Sequence, residues 1–198
     1  TLMRSSAASD VYKRQIVITV IQESISHHSA IIHLSETRFK VYADVGVWTA
    51  CRMLGIAMLD VMRQQQNELG FIPSTAGSTW LKNDYGIEPG YYDTRFNTDL
   101  WLAVVNAAEN YGVTEWLPQA RKYADFLVQY AQEHHSSITT GDALLVQDYW
   151  HPNGEGLPTH TSLNHHSVEA VFLYRLSRAV GDDGYAPVSY THLTLPTI

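Results

Sequence analysis

An almost wholly apolar helical run, followed by an amphipathic one, constrains the fold of this chain more than any other feature. Residues 99–111 carry apolar side chains around most of the helical circumference, a pattern typical of a buried helix. After a short turn, residues 116–133 separate apolar and polar side chains onto opposite faces, which predicts an amphipathic helix. A second apolar run over 165–180 also predicts a buried helix, ended by a glycine-containing turn. The chain is therefore predicted to be mainly α-helical.

Long polar segments alternate with these helices, and their order predicts where they lie. A further helix is predicted over 45–66, and the long segments cover 71–97 and 134–163. If the buried helices form an inner layer and the amphipathic ones an outer layer, both long segments end at helix N-termini on the same face. The stretches 93–99 and 160–166 are then expected to converge there. Asn97 or Thr98 is expected to cap the first of these buried helices.

The region before the helices is predicted to be β-rich. Runs over 16–22 and 38–42 are β-branched or alternating, which favours strands. His27, His28 and His33 lie between them, but no carboxylate or cysteine completes a metal-binding spacing, so neither a metal nor a cofactor is expected. Cys51, the only cysteine, falls in an apolar helical run and is expected to pack in the core.

Both ends of the chain, residues 1–15 and 188–198, resemble conceptual translations of sequencing-adapter DNA. We therefore expect residues 16–187 to be the natural segment, a fragment of one domain that is cut at both ends. The formal net charge of −7 disfavours an electrostatic nucleic-acid binder, and no apolar run is long enough to predict a membrane span. The compartment and the oligomeric state stay open.

Residues 148–169 concentrate acids, bases, amides and aromatic rings in one stretch. Pro152, Gly154, Gly156 and Pro158 predict that its first half is a loop, and its second half runs into the second apolar helix. A polar, aromatic loop that leads onto a helix N-terminus is a common way to build a binding site. The competing interpretation is a surface loop whose polarity has no function.

The run HTSLNH over 160–165 resembles a segment of the D-glucuronyl C5-epimerase C-terminal domain, in which a His-Thr-Thr-His-Ile-Asn pattern enters a helix. It departs from that pattern at the second histidine, which is Leu163 here. The order of helical hairpins and long loops is similar to an (α/α) toroid, the six-hairpin glycosidase-like architecture of glycoside hydrolases, polysaccharide lyases and uronyl epimerases. The resemblance implies a partial (α/α) toroid of helical hairpins, preceded here by the short β-rich segment.

What the resemblance implies chemically is proton abstraction next to the carboxylate of a uronate-containing polysaccharide or oligosaccharide, by an epimerase or a lyase. Such chemistry needs a group that neutralises the carboxylate, a base and an acid. The candidates are Arg95 and Asn164 for the carboxylate, His160 or His165 for the base, Tyr92 or Tyr149 for the acid, and Trp80, Trp150 and Tyr91 for stacking on sugar rings. The helix N-termini near Arg95 and Asn164 would add the positive ends of their dipoles.

Two other functions stay open. Glycoside hydrolysis needs two carboxyl groups that flank the scissile bond, and Asp93 with Glu155 or Asp148 would supply them. A helical carbohydrate- or protein-binding module would use the aromatic rings without any acid–base pair.

Each candidate also has a structural alternative. Asn164 can cap its helix, and Arg95 can form an ion pair with a neighbouring aspartate. Glu169 lies one helical turn after His165 and can either orient that ring or be solvated. His165 and His166 are adjacent, so at most one of them is expected to face the site.

Overall fold

The computed structural model describes residues 48–136, 144–154 and 156–188, with side chains inside the first helix described from residue 55 onward. The predicted strands over 16–22 and 38–42, the three N-terminal histidines and the side chain of Cys51 lie outside the described residues. Glu155, a candidate carboxyl group of the hydrolase alternative, lies outside them as well.

The described part of the chain is mainly helical, as predicted. Its helices include α1 (Trp48–Arg63), α2 (Thr79–Tyr85), α3 (Thr94–Tyr111), α4 (Leu117–Glu133) and α5 (Leu163–Val180), with a 3₁₀ turn at Thr114–Trp116. Two short strands, β1 (Tyr92–Asp93) and β2 (Tyr149–Trp150), pair antiparallel. In that pair Tyr92 lies opposite Trp150, and Asp93 lies opposite Tyr149.

Helix α3 is the centre of the core, which confirms the prediction of a buried helix. Leu100, Trp101, Val104 and Val105 are fully buried, and the helix packs against α4 and α5. Each such side chain contributes about 1.5–3 kcal/mol to the stability of the fold by leaving water. The segment therefore folds as it does because neither face of α3 is polar enough to remain solvated.

The start of α3 differs from the prediction. The helix begins at Thr94, and Asp93 is its N-cap, accepting a hydrogen bond from the Phe96 amide at 2.8 Å. Asn97 is not a cap but a buried residue inside the first turns. Its amide bonds the N–H of Ile72 at 2.7 Å and the carbonyl of Ile72 at 3.0 Å, which fixes the preceding segment onto the helix.

Helix α4 is amphipathic, as predicted. Ala120, Tyr123, Leu127 and Tyr130 are buried on one face. The opposite face is exposed and carries Arg121, Lys122, Asp125, Gln129 and Gln132. This helix therefore forms the outer layer that covers α3 on one side.

Helix α5 corrects the prediction of a helix buried all round. Phe172, Leu173 and Leu176 face the core, but Val171 and Tyr174 are 45% and 42% exposed. The reason is that α3 and α4 cover only one side of α5. Among the described residues, no helix is both long enough and apolar enough to cross a membrane.

The two polar stretches meet, as the layering of the helices predicts. Beyond the pairing of β1 with β2, the Thr94 amide donates to the carbonyl of Asp148 at 3.0 Å. The hydroxyl of Thr94 lies 2.7 Å from Nδ1 of His165. The start of α3 and the start of α5 therefore lie side by side, and the residues that precede them form one surface.

Candidate functional site

A buried carboxylate, Asp148, lies at the centre of this surface. It is 1% exposed, and its oxygens accept hydrogen bonds from the amide of Ser162, at 3.0 Å, and from the Ser162 hydroxyl. Nε2 of His160 lies 3.2 Å from one oxygen, and Nδ1 of His165 lies 3.6 Å from the other. Burial raises the pKa of Asp148, whereas the two hydrogen bonds from Ser162 and the neighbouring His160 oppose that rise.

His160 connects this carboxylate to a phenol. Its Nδ1 lies 3.2 Å from the hydroxyl of Tyr85, and its side chain is 41% exposed. An ionised carboxylate only accepts hydrogen bonds, so of the two tautomers of the neutral imidazole Asp148 favours the one with its hydrogen on Nε2. Nδ1 then carries the lone pair and accepts from Tyr85. Asp148, His160 and Tyr85, here called the exposed triad, thus have the arrangement by which a carboxylate orients an imidazole that activates a hydroxyl.

Aromatic rings surround His160 on the open side of the triad. The ring centroid of Trp80 lies 5.4 Å from that of His160, 5.4 Å from that of Tyr85 and 5.9 Å from that of Tyr149. Trp80 is 44% exposed. Tyr91 lies behind this wall, 6.1 Å from Tyr149 between ring centroids, and is buried. The wall formed by Trp80, Tyr85, Tyr149 and His160 therefore presents an open apolar surface next to a proton-accepting group.

A second polar group lies beneath the exposed triad. Thr94, His165 and Glu169, here called the buried triad, are all buried at the contact of α3 and α5. The pKa of His165 is lowered to about 4, mainly by burial and also by the neighbouring Arg95, His160 and His166. Burial raises the pKa of Glu169 to about 8, with nearby Asp148 adding to the rise and a hydrogen bond with Thr94 opposing it. Near neutral pH both side chains are therefore uncharged.

Asp93 lies at the junction of β1 and α3, directly opposite Tyr149. Burial raises its pKa to about 6, a change that Asp148 and Asp99 increase and that the hydrogen bond from the Phe96 amide opposes. Burial, followed by Asp93 and Asp148, also raises the pKa of Tyr149. Tyr149 thus holds its proton at any ordinary pH, as a proton donor requires.

Arg95 and Asn164 lie at the starts of α3 and α5. Arg95 forms an ion pair with Asp99 at 2.8 Å, as one of the structural alternatives predicted. Asn164 is exposed in the first turn of α5. The expectation that Asn164 caps the helix is wrong, because Ser162 occupies the N-cap position. Ser162 makes no side-chain capping bond, since its hydroxyl donates to Asp148.

Tyr92, a candidate proton donor, and Trp150, a candidate for stacking on a sugar ring, lie elsewhere. Tyr92 is 0% exposed, and its hydroxyl lies 2.9 Å from that of Tyr123 in the core, so a sugar ring does not reach it. Trp150 packs on the opposite side of β2 from Tyr149, with ring centroid distances of 4.9 Å to His134 and 5.9 Å to Tyr130. Successive side chains of a strand point to opposite faces, which separates these rings from the wall.

The structure adds residues that were not predicted for the site. Tyr85 was missed because the short helix α2 that carries it was read as part of a long loop. A signal was present, since Ser78 caps α2 through its hydroxyl and Gly86 ends it with φ of 71°. The role of Thr94 depends on the contact between α3 and α5, which no local pattern indicates. Glu169 is buried rather than solvated, which removes one of its two predicted roles.

No protein-family model matches the sequence, and no curated protein matches it significantly. Within the described ranges, no group of three or more His, Cys, Asp or Glu side chains is placed to hold a metal ion. The chemistry of the site is therefore inferred from the side chains themselves and from their hydrogen bonds.

Proposed function

We propose that this chain belongs to a carbohydrate-active enzyme that transfers a proton at the carbon next to the carboxylate of a uronate sugar, as an epimerase or a lyase does. The observation that carries the proposal is the exposed triad. A buried carboxylate holds a half-exposed imidazole, whose other nitrogen faces a phenol. This arrangement can take up a proton without leaving a charge unpaired, which is what abstraction from carbon requires.

In the first step the proton passes from the sugar carbon to the oxygen of Tyr85, while the phenol proton moves to Nδ1 of His160. The electron pair of the C–H bond becomes part of an enolate that spreads onto the carboxylate oxygens of the sugar. The imidazolium formed at His160 lies 3.2 Å from Asp148, which stabilises its charge. Tyr85 and His160 therefore act together as the base.

The second step needs a proton donor, and Tyr149 fits that role. Its pKa is raised, and its ring centroid lies 5.9 Å from that of His160. In an epimerase Tyr149 gives its own proton to the other face of the same carbon, and exchange with water then returns a proton to Tyr149 and removes one from His160. In a lyase the donor protonates the departing glycosidic oxygen as the carbon–oxygen bond breaks.

The sugar carboxylate needs a positive environment to make its neighbouring proton acidic. Arg95 is partly exposed, and its guanidinium lowers the pKa of His165, so it lies close enough to act on the site by its charge. Asn164 is exposed at the start of α5. The positive ends of the helix dipoles of α3 and α5 strengthen the positive environment that Arg95 and Asn164 provide. Trp80, with its exposed ring, supplies a surface on which the apolar face of a sugar stacks.

The partial (α/α) toroid is the fold that we propose for the whole domain. The support is the alternation of a buried helix, α3, with an amphipathic outer helix, α4, and the meeting of the connecting segments at one end. In such a toroid a further hairpin would cover Val171 and Tyr174, which are exposed on α5.

Glycoside hydrolysis receives less support from the geometry. It needs one carboxyl group that is free to protonate the glycosidic oxygen and a second that attacks or activates water. Asp93 accepts the Phe96 amide as a helix cap, and Asp148 is 1% exposed and bonded to Ser162. Both carboxylates therefore hold backbone amides in place, and Glu155, the other candidate, lies outside the described residues.

The test is incubation of the purified chain with uronate polymers in D₂O. Deuterium uptake without cleavage reports an epimerase, and new absorbance from an unsaturated uronate reports a lyase. Tyr85→Phe is expected to lower either rate by about 10²-fold or more, because it removes the proton-accepting oxygen. Tyr174→Phe, which changes an exposed phenol on α5, is the matched control and should leave the rate unchanged.

Two results would contradict the proposal. New reducing ends without an unsaturated product and without exchange would identify a hydrolase. Binding of the polymer with no exchange and no cleavage would identify a binding module.

A further inference from the structure

The buried triad of Thr94, His165 and Glu169 takes no part in the proton transfer proposed above, yet it lies directly beneath it. Thr94 is 0% exposed, Glu169 is 1% exposed and His165 is 7% exposed. His165 and Glu169 lie one turn apart on α5, and Thr94 is the first residue of α3. Polar side chains this deeply buried cost free energy unless their hydrogen bonds are satisfied, so their bonding pattern is closely constrained.

The number of hydrogens on Thr94, His165 and Glu169 determines which group donates in each hydrogen bond. The hydroxyl of Thr94 has one hydrogen and lies between two partners, Nδ1 of His165 at 2.7 Å and the carboxyl group of Glu169. Above pH 8 Glu169 is ionised, and an ionised carboxylate only accepts hydrogen bonds, so there Thr94 is the donor toward Glu169. The oxygen of Thr94 is then left to accept, and the hydrogen that it accepts must sit on Nδ1 of His165.

Asp148 favours the same assignment. One of its oxygens lies 3.6 Å from Nδ1 of His165, and the other lies 3.2 Å from Nε2 of His160. A carboxylate that faces both nitrogens favours a hydrogen on each of them. The two imidazoles therefore have opposite tautomers, with the lone pair on Nδ1 in His160 and on Nε2 in His165.

We propose that Thr94 and Glu169 are positioning residues that hold His165 as the Nδ1–H tautomer, so that Nε2 of His165 is a second proton-accepting nitrogen of the site. The tautomer follows from the hydrogen bonds alone. Its catalytic consequence rests on the proposed function: Nε2 supplies a proton-accepting nitrogen on the side of Tyr149, the proposed donor, whose ring centroid lies 6.0 Å from that of His165.

The groups that face Glu169 keep this arrangement in place. Asp148 approaches it from the segment before β2, Tyr92 from β1, Tyr123 and Tyr130 from α4, and Thr94 from α3. None of these neighbours carries a positive charge. Above pH 8 the ionised carboxylate of Glu169 accepts a charge-assisted hydrogen bond from Thr94.

The test is ¹⁵N NMR of the imidazole nitrogens in the full chain at pH 9, where Glu169 is ionised and His165 is neutral. The His165 signals are assigned by their loss in His165→Gln. Wild type is expected to show a hydrogen-bearing Nδ1 and a lone-pair Nε2. Thr94→Val should move the population toward the Nε2–H tautomer, whereas Thr94→Ser, which keeps the hydroxyl, should not.

The proposal fails if wild-type His165 carries its hydrogen on Nε2, or if Thr94→Val leaves the tautomer unchanged. The wild-type measurement stands even where the valine variant does not fold. Because no substrate is present, the result is independent of the proposed reaction. In the exchange assay Thr94→Val should lower the rate at least about tenfold, and Thr94→Ser should keep the wild-type rate. If the wild type has the expected tautomer but catalyses no exchange, only the proposed function is contradicted.

Discussion

Glu169 is the residue whose burial has the clearest consequence for pH dependence. Its ordinary pKa is 4.5, and its pKa in the folded chain is about 8. Between these values the folded state holds a proton that the unfolded state has lost, so the free energy of unfolding falls as pH rises. His165 acts in the opposite direction between pH 4 and 6.5, because there the unfolded state holds the extra proton. Asp93 contributes only below about pH 6.

The first prediction follows because Glu169, His165 and Asp93 affect stability over different pH ranges. Between pH 6.5 and 8 Glu169 dominates these three groups, and the wild-type free energy of unfolding should fall by up to about 1.4 kcal/mol per pH unit. Glu169→Gln should flatten the profile in that window, because an amide does not titrate. Urea denaturation across the window measures it, with the exposed Glu133→Gln as control. An equal slope in Glu169→Gln would show that another group titrates there.

Single residues divide into those whose place could be predicted and those that depend on packing. His160, Tyr149 and Trp80 were predicted as site residues, and they share one wall. The burial of Tyr92 and the turn of Trp150 toward the core could not be predicted, because β1 and β2 are too short for an alternating pattern to indicate which face is buried. Tyr85 joins the site only through its contact with His160, which is distant in sequence.

At the scale of elements, α2 and the loop after β2 hold Tyr85 in place. The Leu157 amide donates to the carbonyl of Tyr85 at 2.7 Å. Gly156 allows this close approach, with φ of +101°, and a Cβ there would lie 2.8 Å from the side chain of Ile87 and 3.0 Å from the Tyr85 carbonyl. A side chain at this position would therefore push the loop away from the end of α2.

The second prediction compares two glycines of this loop. Gly154→Ala should cost about 1 kcal/mol from backbone strain alone, since its φ is +75° but nothing lies near its Cβ position. Gly156→Ala should cost roughly 1–3 kcal/mol more, because the neighbouring atoms must move. It should also lower the deuterium exchange rate by displacing Tyr85. Urea denaturation measures the loss of stability, and the exchange assay measures the loss of activity. Equal losses in the two variants would show that the close packing of Gly156 against Ile87 and Tyr85 has no effect.

The elements themselves were predictable to the extent that their patterns are local. The all-apolar α3 and the two-faced α4 are recognisable from spacing alone, and the structure confirms both. Helix α2 was missed because its seven residues are too few for a periodic pattern. The start of α3 was placed too late, because Asn97 has the side chain of a cap but serves to hold Ile72.

At the scale of the molecule, the convergence of the two polar stretches follows from layering rather than from any motif. Inner helices that begin on one face bring their preceding segments together, and the contact of Thr94 with His165 is the result. The exposure of Val171 and Tyr174 on α5 could not be predicted, because burial depends on which neighbours cover a helix and the sequence of that helix is apolar in either case.

The central claim is that Tyr85 and His160 act as one proton-transferring unit, although they belong to different halves of the described chain. The most direct measurement is a double-mutant cycle on the deuterium exchange rate, with Tyr85→Phe, His160→Gln and both together, each variant first checked for cooperative unfolding. Residues that act as a unit give non-additive losses, so the double variant should lose no more activity than the more impaired single variant. Losses that multiply would mean that the two side chains act independently and that the exposed triad is not a relay.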